Sequence, residues 1–160
     1  MADGPLLPSL DMNLDEATLT ECLAVPRWVR AVLDGRPYDS PAALFALAER
    51  AAATLTAEEV GLALAGHPRI GDKTGSAISQ AEQSGVDSAD RLLADEFLAA
   101  NREYERRFDR IYLVCAAGRT GAELLADLRQ RLSNDPDTEL AVTVRELGKI
   151  ALLRLEKAVS

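Results

Sequence analysis

The chain is poor in several residue types, and each shortage closes off a class of function. Among 160 residues there is one histidine, His67, and there are two cysteines, Cys22 and Cys115. No Cys-x-x-Cys occurs, so the sequence holds no zinc ligand set, and neither a metal nor another cofactor is expected. Two cysteines so far apart fit a reduced, cytoplasmic protein more simply than a disulfide framework. Aromatic residues make up 4%, while alanine and leucine abound, which favours helices packed through small side chains over a β-sandwich. Lysine and arginine total 18 against 26 acidic residues, a net charge of −8 with no basic block. That balance argues against nucleic-acid binding and suits solubility instead. No apolar run is long enough to span a bilayer. Residues Met1 to Pro5 lack a charged segment leading into an apolar one, so no signal peptide is expected. The C-terminal Lys157 to Ser160 carries no peroxisomal or retention signal.

What is present reads as helix. Residues 1–13 contain two prolines and read as an N-terminal tail. Residues 14–160 read as one helical domain. Asn13 is placed to cap a helix over Leu14 to Leu23. Pro26 opens a second, Arg27 to Leu33, which Gly35 closes. Ser40-Pro41 opens a third, Ala42 to Leu55, and Thr56-Ala57-Glu58-Glu59 is a capping box for a fourth ending at Gly66. Ala77 to Ser84 reads as two helical turns. Asp87 or Ser88 starts a long helix to Phe108, whose Leu93, Phe97, Ala100, Tyr104 and Phe108 recur at three- and four-residue steps and define a buried face. The apolar run Ile111 to Ala117 is expected to continue as buried, partly helical chain, since no second strand exists to pair with it. Thr120 to Glu123 is another capping signature, leading Leu124 to Leu132. A last helix runs from Thr138 to Ala158 with Leu140, Val144, Leu147, Ile150, Leu153 and Leu155 as its stripe. The fold class expected is all-α, a single-domain multi-helix bundle of about eight helices.

The candidate chemistry centres on Gly66-His67-Pro68-Arg69-Ile70-Gly71-Asp72. An imidazole titrates near neutrality and can move protons there, and Pro68 drives His67 out of helical geometry. The plainer reading is a helix-terminal cap. Ser79, Glu82 and Gln83 share one face if that stretch is helical. They offer a hydroxyl, a carboxylate and an amide, or simply a solvated surface. A carboxylate on the imidazole would orient it and stabilise its protonated form. Cys115, Ala116, Ala117 and Gly118 are small enough to let a flat ligand reach backbone groups, although such a run is also ordinary core. Arg154, on the last apolar stripe, is either a rim residue reaching solvent or a clamp for a carboxylate or urea group.

Taken in order, these pieces resemble a known family. His67-Pro68-Arg69-Ile70-Gly71-Asp72, Ser79-x-x-Glu82-Gln83-x-Gly85, Asn101-x-x-Tyr104-x-x-x-Phe108, Arg131-Leu132-x-Asn134, Glu139, and Glu146-x-x-Lys149-Ile150-x-x-Leu153-Arg154-Leu155 together resemble the 2-oxo-4-hydroxy-4-carboxy-5-ureidoimidazoline (OHCU) decarboxylases of urate breakdown. The series runs from about Leu14 to Leu155. The resemblance implies an all-helical homodimer that converts OHCU to (S)-allantoin without a cofactor. It implies His67 as the catalytic histidine and Glu82 as its acidic partner. By position, Pro68, Ser79 and Gln83 match substrate-contacting residues, Val114 to Gly118 (Val114, Cys115, Ala116 and Gly118 among them) the segment whose backbone meets the ligand, and Arg154 the arginine near its ureido or carboxylate end. This sequence departs from the family where glycine usually follows the phenylalanine (Asp109), where proline and phenylalanine come next (Ile111, Tyr112), and where tryptophan often precedes the serine (Ala77, Ile78). Two other readings stand beside this one: a lyase acting on a related ureido compound, and a helical binding or interaction module in which His67 is only a cap.

Overall fold

Helices begin where the sequence supplies an acceptor for an orphan backbone N–H or a proline that needs no such acceptor. The computed structural model describes residues 14–65, 67 and 88–159, and among them it has seven helices and no strand. They are α1 (Glu16–Cys22), α2 (Pro26–Asp34), α3 (Pro41–Ala52), α4 (Ala57–Leu64), α5 (Ser88–Phe108), α6 (Gly121–Arg131) and α7 (Pro136–Val159). The all-helical expectation holds. The short helix expected over Ala77 to Ser84 lies outside the described residues.

Several boundaries differ from expectation for identifiable reasons. The acceptor that starts α1 is Asp15, whose Oδ1 takes the Thr18 N–H at 2.7 Å; Asn13 lies outside the described residues. Ser40 and Thr56 cap α3 and α4 as expected. The capping box of α4 is reciprocal: Thr56 Oγ1 accepts from Glu59 N at 3.2 Å, and Glu59 Oε1 accepts from Thr56 N at 3.0 Å. Thr120 accepts from Glu123 N at 3.1 Å to start α6. The last helix starts at Pro136 rather than Thr138, because Asp135 takes the Thr138 N–H at 2.7 Å and proline fits the first helical position.

Residues 14–65 and 144–159 make up one compact unit. Its α2 packs on α1 and on α3. Trp28 is fully buried and donates its indole N–H to the Ala48 carbonyl at 3.0 Å, which satisfies the polar edge of a large apolar group. Arg27 grips Glu59 with two guanidinium bonds of 2.8 and 3.0 Å, tying α2 to α4. Gly35, at the end of α2, has an ordinary negative φ of −77°. Its lack of a side chain answers a close approach instead: a Cβ there would lie 2.8 Å from Leu47 Cδ1 and against the Tyr38 ring. On α7, Leu147, Ala151 and Leu155 are buried while Leu153 of the expected stripe is 40% exposed.

The second unit contains residue 67 and residues 88–143. Phe97, Ala100, Tyr104 and Phe108 of α5 form one core with Tyr112, Val114, Leu124, Leu125 and Leu128, and Leu93 packs against it. The buried face read from the sequence of α5 is therefore the real one. The run 111–117 departs from expectation. Residues 111–116 are neither helix nor strand, and a turn follows at 117–118. The helix stops because Asp109 takes a left-handed φ of 55°, a geometry that cannot propagate a right-handed helix. Tyr112, Leu113 and Val114 are buried as expected, whereas Ala116, Ala117 and Gly118 are exposed.

Candidate active site

A buried network of polar side chains shapes the second unit. Arg131 is 3% exposed and Glu139 is 0% exposed. Arg131 Nε donates to both Glu139 oxygens, at 3.1 and 2.9 Å, and Nη2 donates to Oε2 at 2.6 Å. Tyr104 donates its hydroxyl to Glu139 Oε2, and Asn134 Nδ2 donates to Oε1 at 3.1 Å. Thr143 accepts from Arg131 Nη2 at 3.3 Å and donates to the Glu139 carbonyl at 3.0 Å. A buried ion pair is tolerable when its remaining hydrogen-bonding capacity is met in this way. The guanidinium also stacks over the Tyr112 ring, 4.7 Å from its centroid. Burial by itself would lower the affinity of Arg131 for its proton. The bonds and charge of Glu139 reverse that and raise it. Burial, reinforced by the bond to Glu139, pushes the Tyr104 phenol upward, so it stays protonated and donating.

This network reaches the irregular segment after α5. Arg131 Nη1 donates to the Leu113 carbonyl at 2.7 Å, which satisfies a buried acceptor that no helix or strand provides for. The Tyr112 hydroxyl donates to Asp127 Oδ2. Further on, Arg119 N donates to the Ala116 carbonyl at 3.1 Å, closing a tight turn. Gly118 sits in that turn with φ of 74°, where glycine is free of the strain a side chain would suffer. Val114 is 2% exposed and holds the segment in the core. Cys115 is half-buried, and the small residues Ala116, Ala117 and Gly118 are exposed.

His67 follows α4, whose last turn closes with Ala65 N donating to the Gly61 carbonyl at 3.2 Å. It is half-buried in irregular chain, and it belongs to the same compact unit as Val114 to Gly118. Arg154 belongs to the other unit. It is exposed on α7 and donates from Nη1 to the Glu21 carbonyl at 3.0 Å. Burial pushes the nearby Cys22 thiol up, opposed by the Arg154 charge. Pro68, Ser79, Glu82 and Gln83 lie outside the described residues. Among the described residues, no group of three or more His, Cys, Asp or Glu side chains converges as a metal site, and no helix is long and apolar enough to cross a membrane.

Residue patterns assigned no role to the Arg131–Glu139–Tyr104 network, although its members are motif positions. A signal for it exists: Glu139, Thr143 and Leu147 follow at four-residue steps and put a carboxylate on a buried helix face. Tyr112 and Asp127 carry no such signal, because a loop and a helix bring them together.

By architecture the chain is an all-helical protein of the kind seen in a solved structure of OHCU decarboxylase determined in the presence of (S)-allantoin. The two superpose with a TM-score of 0.73 at 22% identity, over 89% of this chain and 96% of that one. A family model described as OHCU decarboxylase matches residues 8–156, and the chain belongs to that family. It is 36% identical over 106 residues to the Uric acid degradation bifunctional protein TTL of Arabidopsis thaliana, across 61% of this chain and 33% of that protein. It is 30% identical over 86 residues to the 2-oxo-4-hydroxy-4-carboxy-5-ureidoimidazoline decarboxylase of Amia calva, across 54% of this chain and 49% of that one. The aligned parts thus span half or less of these curated relatives.

Proposed function

We propose that this protein decarboxylates OHCU to (S)-allantoin in urate degradation, with residues 14–160 as the catalytic domain. The observation that carries the reading is the family match over residues 8–156. The small-residue segment ending at the left-handed Gly118 supports it, because exposed residues with little or no side chain there suit a flat, polar ring. The proposed substrate carries a hydroxyl and a carboxylate on one ring carbon, next to a carbon bearing the ureido group. The bond to the carboxylate breaks and carbon dioxide leaves. The electron pair enters the adjacent imine, whose nitrogen gains a proton, and an enol forms. Protonation of the ureido-bearing carbon, with loss of the enol hydroxyl proton, gives allantoin. No external electron acceptor is needed to balance this step.

In this proposal His67 carries the proton between the hydroxyl and the ring carbon, and Glu82 orients the imidazole. Pro68, Ser79 and Gln83 contact the substrate. Arg154 and the backbone from Val114 to Gly118 fix which face of the ring meets the proton, and so set the handedness. The proposal includes a homodimer and a cytoplasmic location. The test uses OHCU generated freshly from urate and follows the circular dichroism of the product. Wild type should give a fast, one-handed signal. His67→Asn should lose about 10²–10⁴-fold in rate, the usual contribution of a positioned acid–base group. A folded His67→Asn protein with full stereospecific turnover would sink the assignment. Slow racemic product with wild type would turn the search to related ureido compounds, where the departures at Asp109, Ile111 and Tyr112 become the relevant change.

A further inference from the structure

One carboxylate on α6 holds residues on both sides of the irregular segment 113–118, of which Ala116 to Gly118 are exposed. Asp127 Oδ2 accepts from the Tyr112 hydroxyl just before the segment, and Asp127 Oδ1 pairs with Arg119 Nη2 at 3.5 Å just after it. The same carboxylate is 3.5 Å from Arg131 Nη1, the nitrogen that holds the Leu113 carbonyl. Tyr112 is almost completely buried and Asp127 only partly so. Between these anchors the chain has no helix or strand to keep its course. Within it, Arg119 N donates to the Ala116 carbonyl and Val114 is buried. Without outside anchors, such a stretch would sample many backbone conformations, and a ligand would have to select one.

We propose that Asp127, through Tyr112 and Arg119, is the positioning residue that presents the backbone of Val114 to Gly118 to the substrate. This rests on the reading of that segment as ligand-facing. Asp127 touches no reacting atom. It acts by keeping donors and acceptors of the segment in one place before the substrate arrives, which lowers the entropy cost of binding. Loss of the clamp should therefore weaken binding of substrate and transition state alike, and raise KM more than it lowers kcat.

The buried Arg131 and Glu139 are unsuitable test positions, because removing either partner of a buried pair threatens folding. Asp127 and Tyr112 allow gentler changes. Initial rates with fresh OHCU, read by circular dichroism, should show KM raised about tenfold in Asp127→Ala, in line with the loss of its polar contacts to Tyr112, Arg119 and Arg131. Tyr112→Phe should raise it about fivefold. Asp127→Asn keeps an acceptor for the Tyr112 hydroxyl and should recover most of the wild-type KM. Glu96→Ala removes an exposed pair to Arg129 elsewhere on α6 and should leave KM unchanged. A purely structural role would lower the melting temperature and the active fraction, and so kcat, without moving KM. Unchanged KM in a folded Asp127→Ala protein overturns the clamp while leaving the decarboxylase reading intact. A wild-type protein inert toward OHCU overturns that reading and the clamp with it.

Discussion

Asp109 shows how one residue decides a local course. It holds φ of 55° at the point where α5 gives way to the candidate ligand segment. Aspartate tolerates the left-handed region better than most residues, yet glycine enters it with no steric cost. The resembled family usually carries glycine there. Asp109→Gly should therefore stabilise the protein by about 0.5–1 kcal/mol, the relief of strain exceeding the added freedom of the unfolded chain. Urea unfolding of the two proteins measures the difference, and a loss of stability would mean that the aspartate side chain contributes more than its strain costs. Gly118 makes the complementary case with φ of 74° and glycine already in place.

At the scale of elements, α4 connects cap chemistry to the candidate histidine that follows it. Glu59 both completes the capping box and receives the Arg27 fork. The hydrogen bond from Arg27 holds the Glu59 carboxyl below the ordinary range, against the opposing effect of burial, with help from the Thr56 N–H. A carboxyl depressed in the folded state adds stability above its unfolded value, about 4.3, and that stability fades as pH falls through the folded value. Wild type should thus lose melting temperature more steeply than Glu59→Gln below about pH 4.3. Thermal unfolding followed by circular dichroism between neutral and acid pH reads this directly. Parallel curves for the two proteins would show that the Arg27 bond contributes nothing net. Asp15 and Asp135, depressed by the N–H bonds of Thr18 and Thr138, add acid sensitivity common to both proteins.

At the scale of the molecule, the helices divide between two compact units, and α7 contributes to each. The core of the second unit is aromatic and ionic at once. Tyr104 and Tyr112 pack edge to face with centroids 5.5 Å apart, with Arg131 over both rings. Scarce aromatics are thus concentrated where a charged side chain must be buried. The homodimer proposed above predicts a particle of twice the chain mass in light scattering of the purified protein at micromolar concentration. A monomer across that range would remove the dimer from the proposal and leave the family assignment untouched.

Local chemistry determined much of this protein without reference to its fold. Caps at Ser40, Thr56 and Thr120, prolines at helix starts, and the three- and four-residue spacing on α5 are interactions within one or two turns, so they are legible along the chain. The ordered motif series was legible for the same reason, and it pointed to the family. Tertiary structure decided what depends on partners distant in sequence. Ile111 to Ala117 is apolar enough for helix or strand, and its irregular course goes with the dihedral at Asp109 and with the side chains of Asp127 and Arg131. Arg131 and Glu139 read as ordinary charged helix residues until Tyr104, Asn134 and Thr143 close around them. A hydrogen bond within a helical turn is dictated by spacing, whereas a clamp between a loop and a helix exists only once packing has brought the two together.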